Sequence, residues 1–360
     1  MDSDVVIRKQ VNSYHTLDSM SQRLEHWHYL LHILAKVIDS NLHSFDQKTF
    51  DKLYLDLENF FFSDSLEVLQ ISVLNNLKMT ADISREIGLS DNISIRRTTT
   101  DELEIVQEFF HPYPRNHDIF ILERKYTIPK YLDQNTNQDD SDDVLRLFTS
   151  IIYALRLYHG GDVGIKHIYT KLSLDVPMPY ILLDVTSLEL NTDSSISYHL
   201  EKIDVDKFCE FWNSYESILY KVCDPIRYKE DRLNVLKTSI ERFNLSYAEK
   251  TRENRFVDII ISLESLFTLR NDPMDSLTYR LALRVSKFLE SNSEIRKKLY
   301  DEFKDLYSQR SGVVHKGKKS VEFGLIEDIA KESLILMLDE AKVKDAEYNH
   351  SNAITSIDFK

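Results

Sequence analysis

A chain of 360 residues with 42% hydrophobic content has ample material for a buried core, while its net charge of −14 argues against a general nucleic-acid coat protein. Seven glycines make a Gly-rich phosphate cradle improbable, and neither GxxxxGK(S/T) nor GxGxxG occurs. No apolar run approaches the ~18–20 residues that cross a bilayer, so membrane spanning by helices is excluded.

In chain order, Leu24, Trp27, Leu31, Leu34 and Ile38 recur at helical spacing and predict a helix over about 17–42. His28 and His32 stand one turn apart on it. That spacing can grip zinc, but no zincin Glu follows and no third ligand is evident, so exposed helix histidines are the plainer account. From Leu53 to Ile95 the pattern becomes shorter and mixed. LEVLQISVL, NISIRR, Val106–Phe110, HDIFILERKYTI and YILLDVTSLEL alternate as half-buried strands do. HPYPRNHD (His111–Asp118) reads as a rigid loop. DQNTNQDDSDD (Asp133–Asp143) has no apolar residue and reads as a solvated acidic loop. Leu145–Leu157 predicts a helix that Gly160-Gly161 ends. Residues 1–200 are therefore expected to form an α+β domain with both strands and helices.

Beyond Leu200 the strand signals vanish. Helices are predicted at about 205–222, 231–248, 252–269, 276–290, 293–310 and 322–345, with short polar connectors that suit antiparallel neighbours. Phe256, Ile259, Ile260, Leu263, Leu266 and Phe267 share one face, as do Ile326, Ile329, Ala330, Leu334, Ile335 and Leu338. Residues 201–348 are expected to be an all-α bundle, followed by a tail at 349–360. Cys209 and Cys223 have no metal-ligand spacing, and Met1–His15 lacks the basic flank and apolar stretch of a signal peptide. A reduced cytoplasmic setting is expected.

The stretch LYSQRSGVVHKGKK (Leu306–Lys319) sets Arg310 five positions before His315 and crowds lysines behind it. Five residues of ideal helix turn about 500°, leaving the two side chains ~140° apart. Convergence is expected to require a stop or distortion, which Gly312 permits. Taken alone, the pair also fits a helix-end salt bridge and a histidine capping carbonyls.

The order RFVDIIISLESLF, LTYRLALRVSKFL, LYDEFKDLYSQRSGVVHKGK places an LExL helix and an RxA helix before an LYxxRSxxVH ending. In this, residues 201–348 resemble the Apea-like subfamily of the HEPN ribonucleases; the first 200 residues resemble its companions only in patches. Where many members carry Asn, Asp or His after the arginine, this chain has Ser311, and Lys316 stands before Gly317. The resemblance implies a HEPN helical bundle that cleaves RNA without metal or cofactor, the ribose 2′-OH attacking the adjacent phosphate to leave a 2′,3′-cyclic phosphate. Arg310 and His315 would be catalytic. A histidine moves protons near neutral pH, and an arginine offers forked donors to a crowded phosphorane.

Ser311, Lys316, Lys318, Lys319 and Tyr307 are the candidate substrate-binding residues, although Tyr307 fits packing as well. Glu264 and Arg280, with Arg284, either support Arg310 or form structural ion pairs. The implied partners are RNA, with tRNA a candidate, and a second copy that forms a homodimer through the HEPN domain. No membrane partner is expected. The implied role is a toxin-like effector of bacterial anti-phage defence; from the architecture, the N-terminal domain is expected to sense a phage-derived trigger or to restrain the nuclease. Two rivals use the same bundle: an inactive RNA- or nucleotide-binding regulator, and a dimerisation scaffold.

Overall fold

A computed structural model describes residues 45–80, 86–99, 102, 119–129, 137–173, 184–187, 197–224, 231–273, 276–316, 323–344 and 347–358. The predicted helix at 17–42, with His28 and His32, lies outside them, as do Val106–Phe110 and most of HPYPRNHD. The chain forms two compact units, and neither is contiguous. One takes residues 1–73, 86–145 and 166–189; the other takes 74–85, 146–165 and 190–360. A single boundary near residue 200 is therefore not how the fold divides.

Among the described residues the first element of this unit is α1 (Gln47–Phe62), whose N-cap Asp46 accepts from the Thr49 N–H at 2.9 Å. Its six-stranded sheet has the order β3-β4-β5-β1-β6-β7. The strands are β1 (Ser65–Leu74), β3 (Glu86–Ser90), β4 (Ile93–Arg97), β5 (Phe120–Pro129), β6 (His167–Leu172) and β7 (Asp184–Ser187). The pairs β3–β4, β4–β5, β1–β6 and β6–β7 are antiparallel. Register places Ile95 opposite Leu122, both fully buried. Leu69, Ile71, Val73, Ile119, Ile121 and Tyr169 form one apolar cluster. Beside it Arg96 binds both oxygens of Glu102, at 2.8 and 2.7 Å, and Glu123 at 2.5 Å. Both carboxylates are almost wholly buried, so the arginine is what makes their charge tolerable.

A long helix, α2 (Asn137–Tyr158), follows. Its first turns occupy the stretch expected as an acidic loop. The expectation of a loop fails there, because residues 137–143 are helical. The helix ends before Gly160 and Gly161, both at positive φ, as predicted.

In the second unit, β2 (Leu77–Met79) pairs in parallel with β8 (Tyr198–Leu200). The helices are α3 (Lys202–Val222), α4 (Asp231–Leu245) with a 3₁₀ turn at Ser246–Ala248, α5 (Arg252–Phe267), α6 (Leu277–Leu289), α7 (Ser293–Lys316), α8 (Phe323–Lys344) and α9 (His350–Asp358). Strands followed by a helical C-terminal region thus match the expected class. The apolar faces predicted on α5 and α8 are buried at Phe256, Ile259, Leu263, Ile326 and Leu334. Helices α4 and α5 approach closely through two small residues: Ser239 Oγ donates to the Ser262 carbonyl, and Ser262 Oγ returns the bond, each at 2.7 Å.

Residues 349–360 were expected as a tail, yet α9 is docked. Asn349 caps it through Asn352 N–H at 3.0 Å, and His350 bonds the Leu266 carbonyl at 2.8 Å. Arg284, 1% exposed, binds the Phe267 carbonyl at 2.8 Å, Asp272, and Asp358 at 2.9 and 2.8 Å. Arg284→Met is expected to lower unfolding stability by about 3 kcal/mol in urea melts, because it leaves the buried Asp272 carboxylate without its main cation. Burial pushes the Asp272 carboxyl up, but bonds from Arg284 and the Leu269 N–H outweigh it; hydrogen bonding to Arg284 holds Asp358 down as well. Their stabilisation is therefore present above pH of about 4 and fades as pH falls through the lowered folded values. An acid titration of stability should show a shallower loss in Arg284→Met.

Candidate functional site

The Arg310 neighbourhood is built where α5 meets α7. Thr251 caps α5 by accepting from the Asn254 N–H at 3.2 Å, which sets the phase of the helix. That phase buries Leu263 and leaves the next residue, Glu264, at the margin with its side chain 18% exposed. On α7, Phe303 and Leu306 are buried and hold the helix against the bundle. Tyr307 is buried too, and its ring stacks near Phe303 at 6.4 Å.

The three polar tips converge. Tyr307 donates its hydroxyl to Glu264 Oε1 at 2.5 Å, and Arg310 Nη1 donates to the same oxygen at 2.6 Å. Arg310 Nη1 also reaches the Tyr307 hydroxyl at 3.4 Å. Burial first, then the bond to Glu264, pushes the Tyr307 phenol up to about 12, so it remains a donor throughout the physiological range. Among the described residues both Arg310 bonds use Nη1. Nε and Nη2 of this guanidinium, one-third exposed, make no bond among the described residues. A guanidinium held on one edge and open on the other suits a phosphate oxygen pair.

Tyr307 is buried and its hydroxyl is committed to Glu264, which fits the packing alternative. Arg280 does not support Arg310; it donates to Ser276 Oγ at 3.1 Å and Asp272 at 3.4 Å, at the end of α6 that faces α9's anchor. Arg284 belongs to that same second network. Glu264 does contact Arg310, as the supporting role required.

The expected helix break is also overturned. α7 runs without interruption through Gly312 to Lys316. A mid-helix glycine costs only about 1 kcal/mol, which a helix anchored along its length absorbs. Positions 310 and 315 therefore lie ~140° apart on one continuous cylinder. The side chains of Ser311, His315 and Lys316 lie outside the described residues, as do Lys318 and Lys319 altogether.

Sequence reasoning missed the buried Arg156, which donates to the Val163 carbonyl at 2.9 Å and the Asn244 carbonyl at 3.0 Å. Its signal was a single cation inside the apolar run YALRLY. Among the described residues no group of three or more His, Cys, Asp or Glu is placed to hold a metal, and no helix is long and apolar enough to cross a membrane. Compared with family models, curated proteins and solved structures, the chain matches none.

Tyr307→Phe removes a donor from Glu264 and is expected to lower stability by about 1 kcal/mol in urea melts. In alkaline difference absorbance, the wild-type minus variant spectrum should show one phenol ionising near 12 rather than at the ordinary value of about 10.

Proposed function

We propose that the helical unit is a HEPN endoribonuclease of the Apea-like kind, in which Arg310 grips the scissile phosphate and His315 transfers protons. The 2′-OH of the ribose attacks the adjacent phosphorus, the bond to the 5′ oxygen breaks, and the products are a 2′,3′-cyclic phosphate and a 5′-OH end. No metal enters the sequence of steps. The observation that carries the reading is the clamped Arg310: Glu264 and Tyr307 fix one nitrogen of the guanidinium and leave the others for equatorial oxygens. Such fixed positive charge stabilises a phosphorane without reorganisation at the moment of reaction. The run of α5, α6 and α7 in the family's order gives further support.

The unbroken α7 shapes the mechanism. With positions 310 and 315 ~140° apart, one copy does not fold both groups inward through a kink. A homodimer answers this, each phosphate lying between facing copies of α7 so that acid and base come from two histidines. The role that follows is a toxin-like effector in bacterial anti-phage defence, acting on RNA such as tRNA in the cytoplasm. The strand-rich unit would sense the trigger. The ion pair between Glu264 and Arg310 favours a second reading, because a carboxylate on the guanidinium weakens its grip on phosphate. In that reading the bundle binds RNA without cutting it.

Purified protein incubated with total tRNA decides between them. Cleavage that persists in a chelator and leaves cyclic phosphate ends is the expected result. Arg310→Ala and His315→Ala should each slow it by about 100-fold or more. Retention of intact RNA would favour the second reading, and 3′-OH products would overturn the chemistry.

A further inference from the structure

Arg255, in the first turn of α5, is 4% exposed. Among the described residues its side chain makes no hydrogen bond or ion pair, and its Nε is shut off from water without an acceptor. What the guanidinium does meet is aromatic: Cζ stands 4.4 Å from the Phe323 ring centroid and 5.3 Å from that of Tyr247. Tyr247, fully buried in the 3₁₀ turn after α4, donates its hydroxyl to Glu327 of α8 at 2.5 Å. That carboxylate therefore serves the phenol and not Arg255. A second buried cation stands by the same ring, with Arg156 Cζ 5.4 Å from the Tyr247 centroid. Its Nη2 has no hydrogen-bond acceptor and lies 3.9 Å from Asp162 Oδ1. Burial above all, and also the charge of Arg255, hold the Arg156 pKa below its ordinary value. An unpaired cation this enclosed is costly, so its missing counter-charge calls for an explanation.

We infer that the edge of the Arg255 guanidinium is a binding site for a small oxyanion of the phosphate class. The rings of Tyr247 and Phe323 ease the desolvation of the charge but accept none of its in-plane N–H bonds. A tetrahedral oxyanion presents two oxygens that match the guanidinium fork. Water takes up N–H bonds but does not neutralise the charge. Phe323 is the first residue of α8, so the free N–H groups of that helix start add positive potential nearby. A phosphate carries more charge than a carboxylate, which suits a cluster with a second arginine on the same ring. An arginine 4% exposed admits a compact ion rather than the backbone of a polymer. The site is also separate from the proposed nuclease centre and does not rest on that reading. Glu264 lies roughly 13 Å further along α5.

The test is thermal unfolding and calorimetric titration of the full chain with inorganic phosphate, against chloride at equal ionic strength. Phosphate is expected to raise the unfolding midpoint progressively with its concentration. Arg255→Met should abolish that rise. Arg255→Lys should weaken binding about tenfold, because an ammonium lacks the fork and loses a charge-assisted bond. In chloride alone, Arg255→Met should melt no lower than the parent, since it removes a buried charge that has no partner. An arginine already satisfied by the chain itself would make Arg255→Met melt lower in both salts, and that result overturns the site. So does a parent midpoint indifferent to phosphate. Arg310→Ala should keep the phosphate response. Loss of the response there, with retention in Arg255→Met, would assign the ion to Arg310 and sink the inference. Glycerol 3-phosphate separates two sources of the same chemistry. Binding tighter than that of inorganic phosphate assigns the site to a phosphorylated metabolite, and equal or weaker binding assigns it to the free ion.

Discussion

Glu264 is the joint on which the geometry of the helical unit's proposed site turns. One of its oxygens accepts from a buried phenol on α7 and from a guanidinium, one-third exposed, one turn later. The phenol needs that acceptor because it is out of water, and the carboxylate needs both donors because it is largely out of water itself. The result is a charged group whose direction is set by packing rather than by solvent. Everything proposed for Arg310 depends on this, since an arginine free to sweep its full length would meet a phosphate only at the expense of its own ordering.

The same physics recurs away from the site with a different outcome. Arg96 lies between two buried carboxylates, and Arg284 between Asp272, Asp358 and a carbonyl. In both, donors and acceptors are matched on several sides, and the arrangement holds elements together. Arg310 differs in having two bonds on one nitrogen among the described residues and a third of its side chain open. That asymmetry, rather than the presence of an ion pair, separates a candidate site from a structural lock.

Much of this architecture was legible from periodicity. Five of the six bundle helices appear within three residues of their predicted bounds, because their apolar faces are long and regular, as on α5 and α8, while α7 runs six residues further. Strands β1, β4, β5 and β7 were read from alternation, but β3 and β6 were not; GLS and YTK offer too few contrasts. Helix α1 was missed because Tyr54, Leu55 and Phe62 are exposed while Leu53 is buried, which blurs any stripe. Helix α9 was missed because nine residues give barely two turns of pattern, and its anchors are polar contacts with residues far away in the chain. At the site, Glu264 was visible as a charge on an apolar face. The true allegiance of Arg280 was not, because it depends on where Asp272 falls in three dimensions. Gly312 misled for a simple reason: a residue that permits a break does not compel one.

The reciprocal serine bonds between α4 and α5 carry an evolutionary consequence. Losing either hydroxyl removes one of the two buried bonds that tie the helices together, and a bulkier residue at one position prises the two backbones apart. Positions 239 and 262 therefore constrain each other far more than either is constrained by its own helix. In the divergence of related chains, the two should be inherited as a single character, small and polar together or exchanged together.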